Sequence, residues 1–372
     1  MIKVTHILTD SNIGGAGILL SNLLAETDKS RFISEVLLPR GAALSSRLRR
    51  LGVRYEEIDI MPDRSFSVGD FFSLLRRFKK DRPDILHTHG ALTARLAGKC
   101  AGVPICMLTR HCDTPLKMPS FIYNASADFT VATSRSLYEN LLAYGVPKDR
   151  LSLIKNGSAE QKGTDKARAF ELKKALSIPD DAFCVGCVGR LEKIKGQSLL
   201  LHAAREILAR ESGFFFVFVG GGSEEKELRA LAHSLGIESF VLFLGHKENI
   251  GELLSLFDVL VNCSLGSETS SLAISEAMSL SIPIVASDIS GNADMIENGV
   301  SGLLFERGNS SALAEALFTL FYDENLKKCL GRGARERYEK EFTVSLMAKK
   351  YESVYLSLYR KSIEGHANIK NS

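Results

Sequence analysis

The chain alternates short apolar runs with amphipathic helical stretches, and it does so twice within 372 residues. Short apolar runs bounded by polar turns are typical of buried strands, and strands separated by helices are typical of parallel sheets joined by right-handed crossovers. The sequence therefore predicts an α/β protein with two parallel-sheet domains. We expect strands near 2–9, 33–38, 54–58, 84–88, 105–109, 128–132, 151–154, 183–188, 214–219, 240–243, 258–261 and 283–286.

The expected domain boundary lies where the alternation is interrupted. Residues 161–180 are polar and Lys-rich and end near Pro179, so we predict a linker there. An N-terminal domain then occupies 1–160 and a C-terminal domain 181–342. A helical tail follows, with apolar spacing as far as about residue 361.

Composition indicates a cytoplasmic protein. No stretch approaches the roughly 20 apolar residues of a membrane span, and the first residues look like a strand rather than a signal peptide. Seven scattered cysteines, an odd number, suit a reducing compartment. Cys184 and Cys187 lie three apart on a predicted strand, so they face opposite sides and are not expected to share a metal.

Charge is divided unevenly along the chain. Residues 1–150 hold 21 Lys/Arg against 15 Asp/Glu, whereas 151–372 hold 26 against 29. Two basic clusters, 47–50 and 76–80, fall on helical stretches of the first half. They are interpreted either as solvated helix faces or as a surface that docks peripherally on an anionic membrane. Nucleic acid is disfavoured, because the clusters lack interleaved aromatic residues and a known binding motif.

Two glutamates, Glu268 and Glu276, flank the start of an apolar helical run. Ser270 and Ser271 can cap its first turn, and the N–H groups there, that of Leu272 included, can bind an anion with help from the helix dipole. Glu276 can bond a vicinal diol such as that of ribose. Glutamates at this spacing also arise as solvated charges, so the segment alone leaves both interpretations open.

A second element precedes that segment by about eighty residues. An apolar strand at 183–188 ends in Gly189-Arg190, and Lys195-Gly196 follows at the mouth of the next helix. Two cations at the C-terminal edge of a strand can clamp phosphates, the arginine as a fork and the lysine as a point charge. Together the two elements predict a holder for a sugar nucleotide, with the diphosphate at the helix tip.

In this order, the two elements resemble those of the retaining, nucleotide-sugar-dependent glycosyltransferases of the GT-B fold, family four (group 1). The resemblance covers most of the chain. It implies two Rossmann-like domains facing each other across a cleft, the first binding the acceptor and the second the nucleotide sugar. It also implies that a C-terminal helix at about 343–362 packs back on the first domain. Supporting segments are 14–17, 84–90, 109–111, 156–157, 220–222, 243–245, 284–288 and 291–292.

The resemblance implies transfer of a hexose or N-acetylhexosamine from a UDP-linked donor to a hydroxyl acceptor with retention, in cell-envelope polysaccharide or glycolipid synthesis. Arg190 and Lys195 would stabilise the leaving diphosphate, Glu276 would hold the ribose and Glu268 would orient the sugar. His111 would border the anomeric centre from the first domain. Donor binding would also involve the serines and Leu272 at the helix start.

Three further residues are weaker candidates. The backbone at Gly15 would approach the donor, although a tight turn explains that glycine equally well. His89 follows a strand at the same sheet edge as His111. Asp294 stands where relatives have glutamate, and its shorter side chain weakens the assignment. A histidine inside an apolar strand is more often structural, and His87 is interpreted in that way.

The sequence predicts no metal and no cofactor. It contains no two aspartates separated by one residue, so the D-x-D metal clamp is absent, and the two cations can replace Mg²⁺. The expected partners are the nucleotide-sugar donor and a saccharide or lipid-linked acceptor. One alternative is a two-domain nucleotide-cofactor oxidoreductase, against which the incomplete glycine fingerprint at 14–17 counts. The other is a non-catalytic protein that binds a sugar or nucleotide.

Overall fold

The computed structural model describes residues 1–11, 13–64, 66–116, 118–247, 249–266 and 269–370, with only the backbone of 365–370. It divides into two compact units. Unit 1 comprises Met1–Gly157 and Val344–Ser372, and unit 2 comprises Ser158–Thr343. Within the described part of the chain, no helix is long and apolar enough to cross a membrane.

Unit 1 is built on a seven-stranded parallel sheet with the strand order 3-2-1-4-5-6-7. The order reverses between the first and fourth strands, which pair with His6 opposite His87. All seven strands predicted for this half are confirmed, because strands covered on both faces are nearly continuous apolar runs. They are β1 (Ile2–Ile7), β2 (Phe32–Pro39), β3 (Tyr55–Ile58), β4 (Ile85–Thr88), β5 (Ile105–Arg110), β6 (Phe129–Ala132) and β7 (Leu151–Leu153).

Helices cover both faces of this sheet, as right-handed parallel crossovers require. Where a cap is clear, it follows the sequence: the Ser67 hydroxyl accepts from the Asp70 N–H and that of Ser134 from the Leu137 N–H. The crossover helices are α1 (Gly15–Glu26), α2 (Leu44–Arg50), α3 (Val68–Asp81), α4 (Leu92–Ala101), α5 (Ser120–Ser126) and α6 (Arg135–Tyr144).

The segment predicted as a linker lies inside unit 2, where it forms helix α7 (Lys166–Ala175). Ala169, Leu172 and Leu176 of this segment rest against the apolar core of the unit. Their spacing of three and four residues is that of one helix face, but the abundant lysines conceal it in a composition-based analysis. The boundary therefore falls at residue 157, and no separate linker at 161–180 is present.

Unit 2 contains a six-stranded parallel sheet with the order 10-9-8-11-12-13. Its strands are β8 (Phe183–Val188), β9 (Phe214–Val219), β10 (Val241–Phe243), β11 (Val259–Asn262), β12 (Ile284–Ser287) and β13 (Leu303–Phe305). The first five were predicted and β13 was not, although β7 and β10 are equally short. Cys184 and Cys187 belong to apolar clusters on opposite faces of β8, as the strand period requires.

The helices of unit 2 are α8 (Gln197–Leu208), α9 (Glu225–Ser234), α10 (Gly251–Leu254), α11 (Leu272–Ser279), α12 (Ser290–Met295), α13 (Ser310–Tyr322) and α14 (Glu324–Arg337). A π-helical turn, Tyr338–Phe342, ends the unit. The chain then re-enters unit 1 as α15 (Val344–Lys370). One face of α15 completes the core over β1 and α1, through the buried side chains of Val344, Met347, Ala348, Tyr351 and Tyr355.

Candidate functional site

Both sequence elements lie at the point where the strand order of unit 2 reverses, between β8 and β11. Gly189 and Arg190 directly follow β8, and the loop that leads to α11 directly follows β11. In open parallel sheets this position binds ligands, because the connections of the two neighbouring strands leave toward opposite faces and open a crevice. The fold thus brings together two segments that are about eighty residues apart in the chain.

Gly196 allows the two loops to touch. Its φ is +65°, and a methyl group on it would lie 2.2 Å from the carbonyl oxygen of Cys263. The Cys263 Sγ lies 3.4 Å from the carbonyl oxygen of Lys195, and the Leu265 N–H donates to the carbonyl of Ile194 at 2.8 Å. Glycine is therefore required here for both its conformation and its lack of a side chain. These contacts hold Lys195 beside the loop that follows β11.

Gly220 and Gly222 allow the loop after β9 to lie equally close to the loop after β8. A methyl group on Gly220 would lie 1.9 Å from the carbonyl oxygen of Gly189, and one on Gly222 would lie 2.2 Å from that of Leu191. The Leu191 N–H also donates to the carbonyl of Gly221 at 3.0 Å. The loop after β9 therefore supports the loop that carries the two cations.

Arg190 has a fixed backbone and an exposed side chain. Its carbonyl accepts a hydrogen bond of 2.8 Å from the buried Gln197 side chain. Its guanidinium is 71% exposed and lies 2.7 Å from a carboxylate oxygen of Glu192. An exposed pair of this kind stabilises the fold little, since water and salt screen it. The guanidinium can therefore exchange this carboxylate for a phosphate at little expense to stability.

The start of α11 differs from the expected cap. Ser271 is the N-cap residue, but its hydroxyl accepts from the Asn262 side-chain amide at 3.1 Å and caps no helix N–H. The prediction that Ser271 caps this turn is therefore wrong, because a closer donor on β11 takes its oxygen. The first turn begins at Leu272, two residues after Ser270, and the Ser271 hydroxyl accepts from none of the N–H groups of this turn. They and the helix dipole still favour an anion.

Of the two glutamates, Glu268 lies outside the described residues. Glu276 is half-buried on the second turn of α11. Burial raises the pKa of Tyr338 to about 12, and the negative charges of Glu160 and Glu276 act in the same direction. Tyr338 donates to the carbonyl of Ser158 at 3.0 Å.

Asp294 lies on α12, the helix that follows β12. Its carbonyl oxygen accepts from the Arg337 guanidinium at 2.9 Å, and the residue is half-buried. Nearby, the fully buried Asn292 donates to the carbonyl of Ser287 at 3.0 Å. These contacts hold α12 against its neighbours, and a role of the Asp294 carboxylate stays a prediction.

In unit 1, the Gly14–Gly15 turn follows β1 and opens α1. Gly14 has an extended conformation, and a methyl group on either glycine would meet no atom within 4 Å. Neither strain nor packing therefore requires glycine at these positions. This weakens the tight-turn explanation and leaves room for a ligand to approach the backbone of Gly15.

Four histidines cluster near the C-terminal ends of β1, β4 and β5. His6 and His87 lie on the paired strands β1 and β4, and His89 and His111 follow β4 and β5. His89 Nδ1 lies 3.0 Å from His111 Nε2, and His6 Nδ1 lies 3.4 Å from His89 Nε2. His6 was not predicted as a site residue, because only the pairing of β1 with β4 brings it beside His89, about eighty positions away in the chain.

Burial keeps all four rings neutral near neutral pH. It lowers the pKa of His6 to about 3 and that of His111 to about 4. It also lowers the pKa of His87 and His89 well below 6.5, with a further contribution from the neighbouring rings. Burial in a medium of low dielectric constant disfavours the charged form of each ring, so the neutral form is favoured.

The ring of His87 has the contacts of a structural residue. Its Nδ1 lies 2.6 Å from the Tyr355 hydroxyl and its Nε2 lies 2.7 Å from that of Thr109. Nitrogens of His6, His87 and His89 lie within 4.8 Å of one another, a spacing that could hold a metal ion. A metal would have to displace one of the two hydroxyls from His87, which makes the cluster a poor ligand set.

Two known protein families match this chain. The family described as "Glycosyl transferases group 1" matches residues 169–337, and "Glycosyltransferase Family 4" matches residues 13–159. The chain is 26% identical over 300 residues to N-acetyl-alpha-D-glucosaminyl L-malate synthase of Bacillus anthracis, which covers 77% of this chain and 78% of that protein. It is also 26% identical over 308 residues to UDP-Gal:alpha-D-GlcNAc-diphosphoundecaprenol alpha-1,3-galactosyltransferase of Escherichia coli, with the same coverage.

A solved structure shares the whole fold. Anabaena Alr3699/HepE, solved in complex with UDP and glucose, matches with a TM-score of 0.83 and 21% identity. The match covers 96% of this chain and 100% of the Anabaena chain. One conclusion follows from the two parallel sheets, the loops at the reversal of strand order and both family matches. The chain belongs to the group 1 glycosyltransferases and has their GT-B fold.

Proposed function

We propose that this glycosyltransferase transfers a hexose or N-acetylhexosamine from a UDP-linked donor to a hydroxyl acceptor, with retention of anomeric configuration. The observation that carries the proposal is the contact between the loops after β8 and β11. This contact sets Lys195 beside the loop that leads to the start of α11. The E. coli relative is named for a UDP-linked sugar, and the Anabaena structure contains UDP and glucose.

The chemistry needs stabilisation of charge more than a nucleophile. As the bond between the anomeric carbon and the phosphate oxygen breaks, negative charge develops on the diphosphate, and Arg190, Lys195 and the start of α11 oppose it. The acceptor oxygen forms the new bond on the same face, and its proton passes to the departing phosphate. These cations stand in for a metal, so we propose a reaction that needs neither metal nor cofactor.

The remaining roles follow the same scheme. Glu276 accepts hydrogen bonds from the ribose hydroxyls, and Glu268 orients the donor sugar. His111 contacts the transferred sugar from unit 1. Gly15 and Asp294 are further donor contacts in this proposal. Thr269 restricts the backbone of the loop before α11 more than a glycine would, so the shape of this loop is expected to select the donor sugar.

Replacing Glu276 with alanine is expected to weaken UDP-sugar binding by about 1–3 kcal/mol, because the ribose hydroxyls lose a charged acceptor. Titration calorimetry measures this directly. Glu315→Ala is the matched control, since Glu315 is exposed on α13 of unit 2 and forms an exposed ion pair with Arg210. The binding of UDP-, GDP- and ADP-sugars is compared, and NAD is measured beside them to test the oxidoreductase alternative. Equal binding by both variants, or binding of NAD alone, would contradict the donor site.

We further propose that the acceptor is lipid-linked and belongs to cell-envelope polysaccharide or glycolipid synthesis. The acceptors named for the two relatives differ, one being a diphosphoundecaprenol-linked sugar and the other L-malate. The exposed face of α3 favours the lipid: Val68 is 61% and Phe72 54% exposed, and Arg76 and Lys80 continue the same i, i+4 row. Such a face suits the inner surface of a cytoplasmic membrane with anionic lipids.

The arginines of the basic cluster at 47–50 form hydrogen bonds within unit 1, unlike the exposed row on α3. Arg47 donates to Ser21 at 2.7 Å and to Asn22 at 3.1 Å, and Arg49 donates to Tyr55 at 2.9 Å. These bonds give the cluster a structural role within unit 1. The surface that remains for docking is therefore the α3 row.

Vesicle cosedimentation tests the α3 row. Full-length protein is expected to bind vesicles with about 30% anionic lipid and to bind neutral vesicles several-fold more weakly, because each surface cation adds about 1 kcal/mol. Phe72→Ser and Arg76→Glu should each reduce binding. Phe170→Ser serves as the control, since Phe170 is equally exposed, at 54%, but lies on α7 of unit 2. An equal loss in the control would contradict docking through α3.

A further inference from the structure

Three of the four clustered histidines form a continuous row. His111 Nε2 lies 3.0 Å from His89 Nδ1, and His89 Nε2 lies 3.4 Å from His6 Nδ1. The ring centroids are 5.3 and 5.7 Å apart, and the planes of neighbouring rings differ by 21° and 23°. Each centroid separation matches the N···N distance plus two centre-to-nitrogen radii of an imidazole. The rings therefore meet head to tail through their nitrogens rather than face to face, and we call this set the imidazole row.

The proton positions in the imidazole row depend on one another. A neutral imidazole has one N–H and one lone pair, and burial keeps these rings neutral. His89 uses both nitrogens in the row, so it donates to one neighbour and accepts from the other. If it donates to His6, His111 carries its proton on Nε2 and its lone pair on Nδ1. If it donates to His111, the reverse holds.

We propose that His89 is a positioning residue that sets both the ring orientation and the tautomer of His111, with His6 as the far end of the row. The functional part of this inference rests on the proposed contact between His111 and the transferred sugar. His111 as a residue is half-buried, and its Nδ1 lies inside the cluster rather than at the surface. A fixed tautomer and ring orientation of His111 therefore act on the sugar through the part of the ring that is exposed, and a mixture of tautomers would divide the protein between productive and unproductive forms.

The imidazole row differs from an ordinary set of buried, hydrogen-bonded histidines. His87, whose ring centroid lies 5.0 Å from that of His6 and 4.4 Å from that of His89, satisfies its nitrogens with the hydroxyls of Tyr355 and Thr109. Hydroxyls can rotate to donate or accept, so they impose no direction on the His87 proton. His89, in contrast, bonds two imidazoles, each with one donor and one acceptor. That difference allows the tautomer of one ring to constrain the next.

Two isosteric variants separate the halves of the row. An asparagine amide reaches the position of the histidine Nδ1, so His89→Asn keeps a partner for His111 and loses the one for His6. A glutamine amide reaches the position of Nε2, so His89→Gln keeps the bond to His6 and loses the one to His111. Both variants bury one amide at the same site, so a purely structural role predicts similar losses of stability and similar activities.

The tautomer is read by NMR of full-length protein labelled with ¹⁵N-histidine, because the ring ¹⁵N shifts differ between tautomers. We expect one tautomer of His111 in the natural protein and two in His89→Gln. Turnover should fall about 10- to 100-fold in kcat for His89→Gln, with a smaller change in KM, and clearly less for His89→Asn. An unchanged His111 tautomer in His89→Gln, or equal activity losses in the two variants, would overturn the proposal.

His6→Leu provides an independent readout if the His89 variants fold poorly. His6 bonds His89, so a changed tautomer ratio at His111 would have to pass through His89. That change is the expected result, and an unaltered ratio would contradict the row. The NMR signals do not depend on turnover. A protein without transferase activity whose His111 still responds to His6 would refute the proposed function and leave the row intact.

Discussion

Arg190→Ala is expected to lower kcat/KM for the sugar donor by about 30- to 1,000-fold, equivalent to about 2–4 kcal/mol of transition-state stabilisation. Arg190 lies two residues after the end of β8, and its exposed pair with Glu192 leaves the guanidinium available to a phosphate. Most of the loss should appear in kcat, because the charge on the diphosphate develops as the glycosidic bond breaks. Steady-state kinetics with a saturating acceptor measures it.

Arg168→Ala is the matched control for this variant. Arg168 is also exposed and also lies near carboxylates, Glu171 and Glu252 at 3.4 Å, but it belongs to α7 rather than to the loop after β8. Its removal should leave kcat/KM within about twofold. If Arg190→Ala retained full activity, the phosphate clamp would be wrongly assigned. EDTA should leave turnover unchanged, and a loss restored by Mg²⁺ would show that a metal performs the role given to the cations.

The free energy of unfolding of unit 1 is expected to fall steeply below pH 6.5. Histidines in the unfolded chain take up protons near that pH, whereas burial lowers the pKa of His6 to about 3 and of His111 to about 4. The unfolded state therefore binds more protons between these limits. Stability is fully present above pH 6.5 and is lost at up to about 1.4 kcal/mol per pH unit for each ring. His87 and His89 add losses of the same sign.

Urea unfolding at a series of pH values between 7.5 and 5, with amide exchange of β1 and β4 as the probe, measures this slope. His6→Gln should reduce it by up to about 1.4 kcal/mol per pH unit, because one of the protons taken up on unfolding is removed. His202→Gln is the control, since His202 is exposed on α8 of unit 2. A flat profile between pH 7 and 5 would show that the buried rings accept protons without unfolding.

The local elements were readable from sequence because each has its own pattern. Most strands of both sheets are largely apolar and stand out as short runs, and Gly-Arg and Lys-Gly mark the loop that follows β8. The patterns failed at two places. The strand β13 was not predicted, although the equally short β7 and β10 were, and the lysines of α7 conceal an apolar face that packs against the core of unit 2.

The geometry of the candidate site depended on contacts across large separations in the chain. The hydroxyl of Ser271 looks like a helix cap in sequence, but an amide on the neighbouring strand β11 takes it. His6 looks like an ordinary strand residue until β1 pairs with β4 and its ring reaches His89. In both cases the partner is set by strand register, which no local pattern encodes.

Taken by itself, the amino-acid sequence determined which segments become strands and helices and which residues carry charge at the strand ends, because these depend on residue type and local period. The tertiary structure alone decided which of them meet. Gly196 can lie against the carbonyl of Cys263 only after β8 and β11 become neighbours, and three imidazoles can share a row only after three strands end side by side. The chemistry of the site depends on these contacts between distant segments, since hydrogen bonds and charge pairs act only over a few ångströms.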